Sequence, residues 1–178
     1  LYRSPLVAII GDEGNGYYNT AYTIYTIILL ISSYSIPAAI SKVIAARLAK
    51  REYRNAQRIF TCSFIYVMIT GGIGSLLCFF GAEFFVGQNS ATVLKVFAPT
   101  IFLSGLLGVF RDYFQAHRTM LQTSFSQIVE QILNAIVSLL AAYLLMGLVA
   151  DKDATTQAIY GAVGSALGTG SGVLIALI

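Results

Sequence analysis

Long blocks of apolar residues alternate with short polar segments along the chain, and this pattern predicts an all-α fold. Most blocks hold about 20 residues or more, enough for an α-helix to cross the hydrocarbon core of a bilayer. We therefore expect a polytopic transmembrane helix bundle of about six helices, of which the first is partial. The predicted helices cover residues 1–10, 18–46, 59–82, 91–114, 120–149 and 156–178.

A single charged residue, Glu130, lies inside the helix predicted over 120–149. A carboxylate at mid-span costs about 2.5–3.5 kcal/mol on insertion, whereas each Leu, Ile, Val or Phe returns roughly 0.3–0.6 kcal/mol, so the segment still inserts. An ionisable residue at that depth is a candidate functional residue by default. Steps of three or four residues predict one polar stripe that faces protein or a wet cavity: Thr123, Gln127, Glu130, Gln131, Asn134 and Ser138.

Arg3 is the second charge that the pattern places inside the bilayer. It lies about 12 Å from the loop predicted at 11–16, at a rise of 1.5 Å per residue. Two roles for Arg3 stay open: it binds an anionic group, or it forms an ion pair with Glu130 that fastens the first helix to the fifth. Glu130 is accordingly the partner of Arg3 or a site of cation or proton coupling.

Proline and glycine shape two of the predicted helices. Pro37 interrupts 18–46, and nearby serines can bond the carbonyl groups that a proline frees, so we expect a kink rather than an end. The helix predicted over 156–178 is rich in glycine at four-residue steps, which favours close packing against a neighbouring helix or a pliable helix. These glycines are Gly164, Gly168 and Gly172.

Composition and charge support a membrane protein and orient it. Hydrophobic residues make up 57% of the chain and charged residues 11%, with a mean hydropathy of +0.75. The predicted loops at 47–58 and 111–118 hold seven Lys or Arg, whereas those at 11–16, 83–90 and 151–155 hold one Lys and five acidic residues. The positive-inside rule therefore predicts that 47–58 and 111–118 are cytoplasmic. The net charge of +3 is concentrated in 47–58, so we expect no nucleic-acid partner.

The residue pattern predicts no catalytic residues, no metal site and no cofactor. Cys62 and Cys78 lie about 24 Å apart on one predicted helix, too far for a disulfide, and read as small apolar residues. His117 has no Cys or His partner at ligand spacing. The glycine-rich segment 11–16 lacks the spacing and the lysine of a phosphate-binding loop, which favours a turn.

Three stretches of the chain resemble a known family of transporters. They are LYRSPL with IIGDEGNGYYNTAYTIYTIILLISSYSIPAAISKVIAARLA, FAPTIFLSGLLGVFRDYFQAHRTM, and SFSQIVEQILNAIVSL. They are similar to polysaccharide biosynthesis and stage V sporulation protein B-like exporters of the MATE-like, MurJ-related flippase superfamily. The resemblance implies that residues 1–178 form part of the N-terminal lobe of a two-lobed transporter, whose C-terminal lobe is missing here. One departure is Asp112 after Arg111, where the family pattern usually has glycine, and Arg111 could pair with this acid.

The resemblance implies a transporter in the bacterial plasma membrane that flips or exports lipid-linked glycans of the undecaprenyl-pyrophosphate type by alternating access. Arginine suits a buried pyrophosphate because its planar fork donates paired hydrogen bonds and keeps its charge. The expected cavity residues are Arg3, Lys42, Arg111, Gln127, Gln131 and Asn134, with Glu130 as the coupling or pairing acid. For Lys42 and Arg111, a role as interfacial anchors is an equal alternative.

Two further functions remain alternatives at this point. A cation- or proton-coupled multidrug exporter on the same scaffold would favour acids and aromatic residues in its cavity. A membrane enzyme that polymerises or ligates glycans would need a metal cluster or a nucleophile with its base, and the sequence offers neither. Buried Arg3 favours the lipid-linked glycan.

Overall fold

The structure, a computed structural model, describes residues 3–31, 37–117, 120–150 and 152–178, together with the side chains in these ranges except those of Arg3, Pro37 and Ala38. The predictions for the Arg3 side chain and for Ser32, Ser33, Ser35, Arg118 and Asp151 lie outside the described residues. The described elements are helices: α1 (Arg3–Leu29), α2 (Pro37–Ala49), α3 (Tyr53–Phe80), α4 (Ala82–Ala116), α5 (Met120–Leu148) and α6 (Ala154–Leu177). The predicted all-α bundle is confirmed.

Four of these helices, α3 to α6, are long and apolar enough to cross a membrane. Helix α2 has only 13 residues, and α1 carries Asp12 and Glu13 in its first half. Helix α4 lies at the centre of the bundle and contacts each of the other five helices. Its central position explains why the apolar window of α4 is 56% buried, whereas that of α5, at the edge, is 17% buried.

Two predicted loops are helical except at one glycine each, which corrects their bounds. Gly11 (φ 71°, ψ 176°) and Gly87 (φ 73°, ψ 169°) have non-helical backbone angles. The other residues of the predicted loops 11–16 and 83–90 are helical. Lys95 Nζ lies 2.9 Å from Glu83 Oε1, although residues 12 positions apart on a straight helix are about 18 Å apart. The Gly87 break therefore folds the first turn of α4 back toward its own continuation.

The helix predicted over 18–46 is divided differently in the structure. Helix α1 ends at Leu29 and is followed by a π-helical turn at residues 30 and 31, and α2 begins at Pro37. Residues 32–36 lie outside the described part of the chain, so the kink expected at Pro37 stays a prediction. The predicted loop 111–118 is also corrected, because α4 continues to Ala116.

Helices α5 and α6 pack closely because glycines on α6 leave room for the α5 backbone. A Cβ added at Gly168 would lie 2.5 Å from Ser138 N, and one at Gly164 would lie 2.5 Å from Ala142 N. A Cβ at Gly172 would lie 2.8 Å from the carbonyl oxygen of Glu130. These distances are shorter than carbon contacts in proteins allow, so only glycine fits. The predicted close packing at the four-residue glycine steps is confirmed.

Aromatic side chains join α1 to α4 in the main core. The rings of Tyr25 and Phe97 stack with their centroids 4.7 Å apart, and the Tyr25 hydroxyl lies 3.4 Å from Ser104 Oγ. Phe97 is fully buried. A separate small core joins α2, α3 and α4 through Ile44, Ala56 and Ala116. It holds one face of the short helix α2 against the bundle.

Candidate functional site

An ion pair between α4 and α5 is the centre of the candidate site. Arg111 Nη2 donates a hydrogen bond of 2.7 Å to Glu130 Oε2. The Arg111 and Glu130 side chains are 14% and 19% exposed, so the pair is largely shielded from the surroundings. A charge-assisted bond in such a setting is stronger than one in water, and each partner neutralises the charge of the other. Arg111 is thus paired with Glu130 rather than with Asp112.

Ser126 connects this ion pair to α6. Arg111 donates to Ser126 Oγ from Nη2 (2.8 Å) and Nε (3.3 Å), and the Ser126 hydroxyl lies 3.3 Å from the carbonyl oxygen of Ala176, to which it donates. The Thr123 hydroxyl lies 3.5 Å from the carbonyl oxygen of Arg111. One guanidinium group therefore ties together the ends of three helices. Sequence reasoning missed Ser126, although its place four residues before Glu130 puts it on the same helix face.

Arg111 retains hydrogen-bonding capacity after these contacts. A guanidinium carries five N–H groups, and the bonds to Ser126 and Glu130 use those of Nε and Nη2. Among the described residues, the bonds of the guanidinium come from Nε and Nη2, and none comes from Nη1. Both of its N–H groups are available to a further anionic or carbonyl oxygen.

A pocket of about 500 Å³ adjoins the ion pair. Its lining residues are mainly apolar, and the polar ones are Arg111, Gln122, Thr123 and Ser126. The apolar lining residues are Leu107, Phe110, Phe114, Phe125, Val129, Ile175, Ala176, Leu177 and Ile178. A mostly apolar pocket with a few convergent polar groups is the usual form of a ligand site. The chemistry of this lining suits a molecule with an anionic part and a hydrocarbon part.

Asn134 belongs to a buried polar network between α5 and α6. Ser138 Oγ lies 2.9 Å from Asn134 Oδ1 and 3.1 Å from the carbonyl oxygen of Ser165, and its single hydrogen can be donated to either. Thr169 Oγ1 donates to Asn134 Oδ1 at 3.4 Å. Asn134 is 8% exposed and Ser138 1% exposed. The structure thus places Asn134 in helix packing, away from the pocket beside Arg111.

Gln127 and Gln131 are exposed, whereas Asn134 and Ser138 of the same predicted stripe are buried. The inward row of α5 advances by four residues through the half-buried Ser126 and Glu130 to the buried Asn134 and Ser138. Gln127 and Gln131 each follow a member of this row by one position, a rotation of about 100° around the helix. They therefore flank the interface with α6 and remain accessible on the surface of the described helices.

The other predicted site residues lie apart from the ion pair. Lys42 is exposed on α2 and lines a groove with Arg47 and Lys50. Asp112 points away from the Arg111 pocket, into a narrow space between α2, α3 and α4 that is also lined by Ile44 and Tyr113. Arg3 belongs to α1, but its side chain lies outside the described part, so its two possible roles remain predictions.

No group of three or more His, Cys, Asp or Glu residues that could hold a metal ion is found among the described residues. Cys62 is exposed and Cys78 is buried, and both are free thiols. The described side chains around Arg111 offer hydrogen bonding, charge and apolar contact.

Comparison with protein families matches the entire chain, residues 1–178, to the family described as polysaccharide biosynthesis protein. The chain is 27% identical to the lipid II flippase MurJ of Bacillus subtilis (strain 168), in an alignment covering 92% of this chain and 34% of that protein. It is 25% identical to stage V sporulation protein B of the same organism, over 78% of this chain and 27% of the relative.

A third relative, the uncharacterized membrane protein YabM of Bacillus subtilis (strain 168), is 30% identical, over 100% of this chain and 32% of that protein. The chain therefore spans about a third of the length of the curated relatives it matches. A search of solved structures gives no significant match.

Proposed function

Because the chain belongs to the polysaccharide biosynthesis protein family, we propose that it forms part of a membrane flippase or exporter of lipid-linked oligosaccharide precursors. The substrate class comprises undecaprenyl-pyrophosphate glycans, with peptidoglycan precursors as one member. The protein carries the polar head group across the membrane by alternating access while the lipid tail stays in the bilayer. The similarity to a relative named lipid II flippase supports this proposal.

The observation that carries the proposal is the pocket in which Arg111 lies among apolar side chains. The two N–H groups of Nη1 match phosphate oxygens, and the apolar lining matches a hydrocarbon chain. Glu130 holds the guanidinium in place through its 2.7 Å bond and keeps the unloaded site neutral. An anionic head group would therefore enter a site whose arginine is already oriented.

We place the chain in the N-terminal lobe of a two-lobed transporter in the bacterial plasma membrane. The second lobe would then correspond to the part of the relatives that this chain does not match. In this arrangement the exposed Gln127 and Gln131 and the side chain of Arg3 face the cavity between the lobes, and Lys42 lies near the mouth. The basic segments 47–58 and 111–118 are cytoplasmic, as the positive-inside rule predicts.

The test is a vesicle assay of the full-length protein with defined undecaprenyl-pyrophosphate sugars, with and without an imposed ion gradient. We expect flipping by the wild type and a loss of about 10- to 100-fold in Arg111→Gln, because one set of charge-assisted bonds to the head group disappears. Arg111→Lys keeps the charge but not the planar fork, so it restores flipping only in part.

Lys95→Gln serves as the matched control, because it also removes one positive charge from α4, at an exposed pair. Arg3→Ala in the same assay separates its two roles: loss of substrate binding supports head-group contact, and unchanged binding supports a structural role. Failure to flip any glycolipid by the wild type would overturn the proposal.

A multidrug exporter is less well supported by the site. Binding of organic cations favours an acid whose charge is not already compensated. Glu130 is bonded to Arg111, so its charge is compensated in the described state. Efflux of an organic cation by the full-length protein, without flipping of glycolipids, would favour the exporter.

A further inference from the structure

A groove of about 300 Å³ runs along the outer face of α2. Its lining residues repeat at helical spacing, so that they share one side of the helix. They are Lys42, Val43, Ala46, Arg47 and Lys50. The floor is thus apolar, from Val43 and Ala46, and the rim carries three cations.

The opposite face of α2 fixes the direction of this groove. Ile44 is 2% exposed and packs with Ala56 and Ala116 in the small core between α2, α3 and α4. Lys42, Val43 and Lys50 are exposed. Because the inner face is anchored in this way, the cationic groove is held on the perimeter of the bundle.

The positive charge of this region is largely uncompensated. Between Lys42 and Arg58 the sequence has six Lys or Arg and one acidic residue, Glu52, a net charge of +5. Glu52 bonds to Arg47 at 3.0 Å. Neither lysine of the groove has a carboxylate partner among the residues that the structure describes. Lys50 lies near enough to Glu52 to help lower the pKa of that carboxyl, after the hydrogen bonds from Asn55 and Arg47. An anion in the groove would therefore meet two ammonium groups, neither of which forms an ion pair with a described carboxylate.

The groove lies just before the start of α3 in the chain, and this position indicates that it lies at the level of the lipid head groups. The chain turns at Lys50 to Glu52 directly into α3, a helix long enough to span a membrane. Tyr53, the first residue of α3, is 65% exposed, and exposed tyrosines at the ends of spans are typical of the membrane interface.

We propose that this groove binds the head group of an anionic glycerophospholipid from the leaflet on this side of the bundle. The phosphate group lies between the Lys42 and Lys50 ammonium groups, and the glycerol and upper acyl carbons contact Val43 and Ala46. The charged rim and the apolar floor together match a lipid better than a nucleic acid, because a nucleic acid would leave the apolar floor uncovered. The inference does not depend on the flippase activity proposed above.

The experiment measures lipid binding to the full-length protein by native mass spectrometry, with phosphatidylglycerol and phosphatidylcholine as probes. We expect phosphatidylglycerol to bind more tightly. In the double variant Lys42→Gln/Lys50→Gln its affinity falls by about 25-fold, since each cation near an anionic surface contributes about a factor of five. Binding of phosphatidylcholine stays unchanged.

Arg54→Gln/Arg58→Gln is the matched control, because it removes the same charge from exposed positions of α3 outside the groove. We expect it to keep most of the affinity for phosphatidylglycerol. An equal loss in the two double variants would overturn the proposal, since it would show diffuse attraction to the whole basic segment. Displacement of the lipid by an equal concentration of inorganic pyrophosphate would also overturn it, because a soluble phosphate gains nothing from the apolar floor.

Discussion

Arg111 on α4 and Glu130 on α5 are bonded at 2.7 Å across the helix interface, with Ser126 completing the contact to α6. The pair explains how a carboxylate is accommodated in the middle of an apolar helix, because its charge is matched by the neighbouring helix and not by water. Its energetic role can be separated from its role in binding by measuring stability.

We expect Arg111→Ala to lower the free energy of unfolding by about 3 kcal/mol, because Glu130 is left shielded and without a cation. The double variant Arg111→Leu/Glu130→Leu should lie closer to the wild type, since no uncompensated charge remains. Thermal unfolding of the detergent-solubilised protein measures both. For comparison, Lys95→Gln breaks an exposed pair and should cost less than about 1 kcal/mol. Equal effects of Arg111→Ala and Lys95→Gln would contradict the buried character of the pair.

We expect Gly168→Ala to destabilise the α5–α6 pair by about 1–3 kcal/mol, because the added Cβ would lie 2.5 Å from Ser138 N, and backbone cannot move aside cheaply. Gly72→Ala is the control. It lies within α3 with open space around the added Cβ, so it should leave stability unchanged or raise it by up to about 1 kcal/mol through helix propensity. If Gly168→Ala has the same unfolding temperature as Gly72→Ala, the α5–α6 interface adapts to the extra atom.

The break at Gly87 gives a third prediction. Its φ of 73° with ψ of 169° is open essentially to glycine alone, so Gly87→Ala should cost about 1–3 kcal/mol even though an added Cβ meets no neighbour. Gly16→Ala also adds a Cβ in open space, but inside a regular stretch of α1, and should leave stability unchanged or raise it by up to about 1 kcal/mol. The comparison of their melting temperatures isolates backbone strain from packing. A neutral Gly87→Ala would mean that the chain straightens there without cost.

The turn between α2 and α3 should respond to acid. Bonds from the Asn55 amide and the Arg47 guanidinium lower the pKa of Glu52 from its usual value of 4.5. Because the folded pKa is the lower one, the contribution to stability is complete above pH 4.5 and disappears as the pH falls through the folded value.

Hydrogen exchange measures this effect at the Ala56 amide, which donates to the Glu52 carbonyl. Protection should be greater in the wild type than in Glu52→Gln at about pH 6, and the difference should vanish near pH 3. A difference that persists at low pH would assign the stabilisation to another group.

Sequence periodicity was sufficient for the class of fold and for the glycine contacts of α6. Long apolar blocks have few stable alternatives to helices in a bilayer, and glycines at four-residue steps necessarily fall on one helix face. The same reasoning placed Glu130 within α5 and marked it as a residue whose charge requires a partner. It also named Arg111, but as a residue near the end of a span and without its partner.

Only the tertiary structure decided the partnerships. Whether Glu130 meets Arg3, Arg111 or solvent depends on how α4, α5 and α6 are rotated and offset, and such offsets arise from packing between residues far apart in the chain. The separation of Gln127 and Gln131 from Asn134 has the same origin, because the α5 interface advances by four residues per step and leaves positions one residue away outside it. Local spacing determines which residues share a helix face, and long-range packing determines what that face meets.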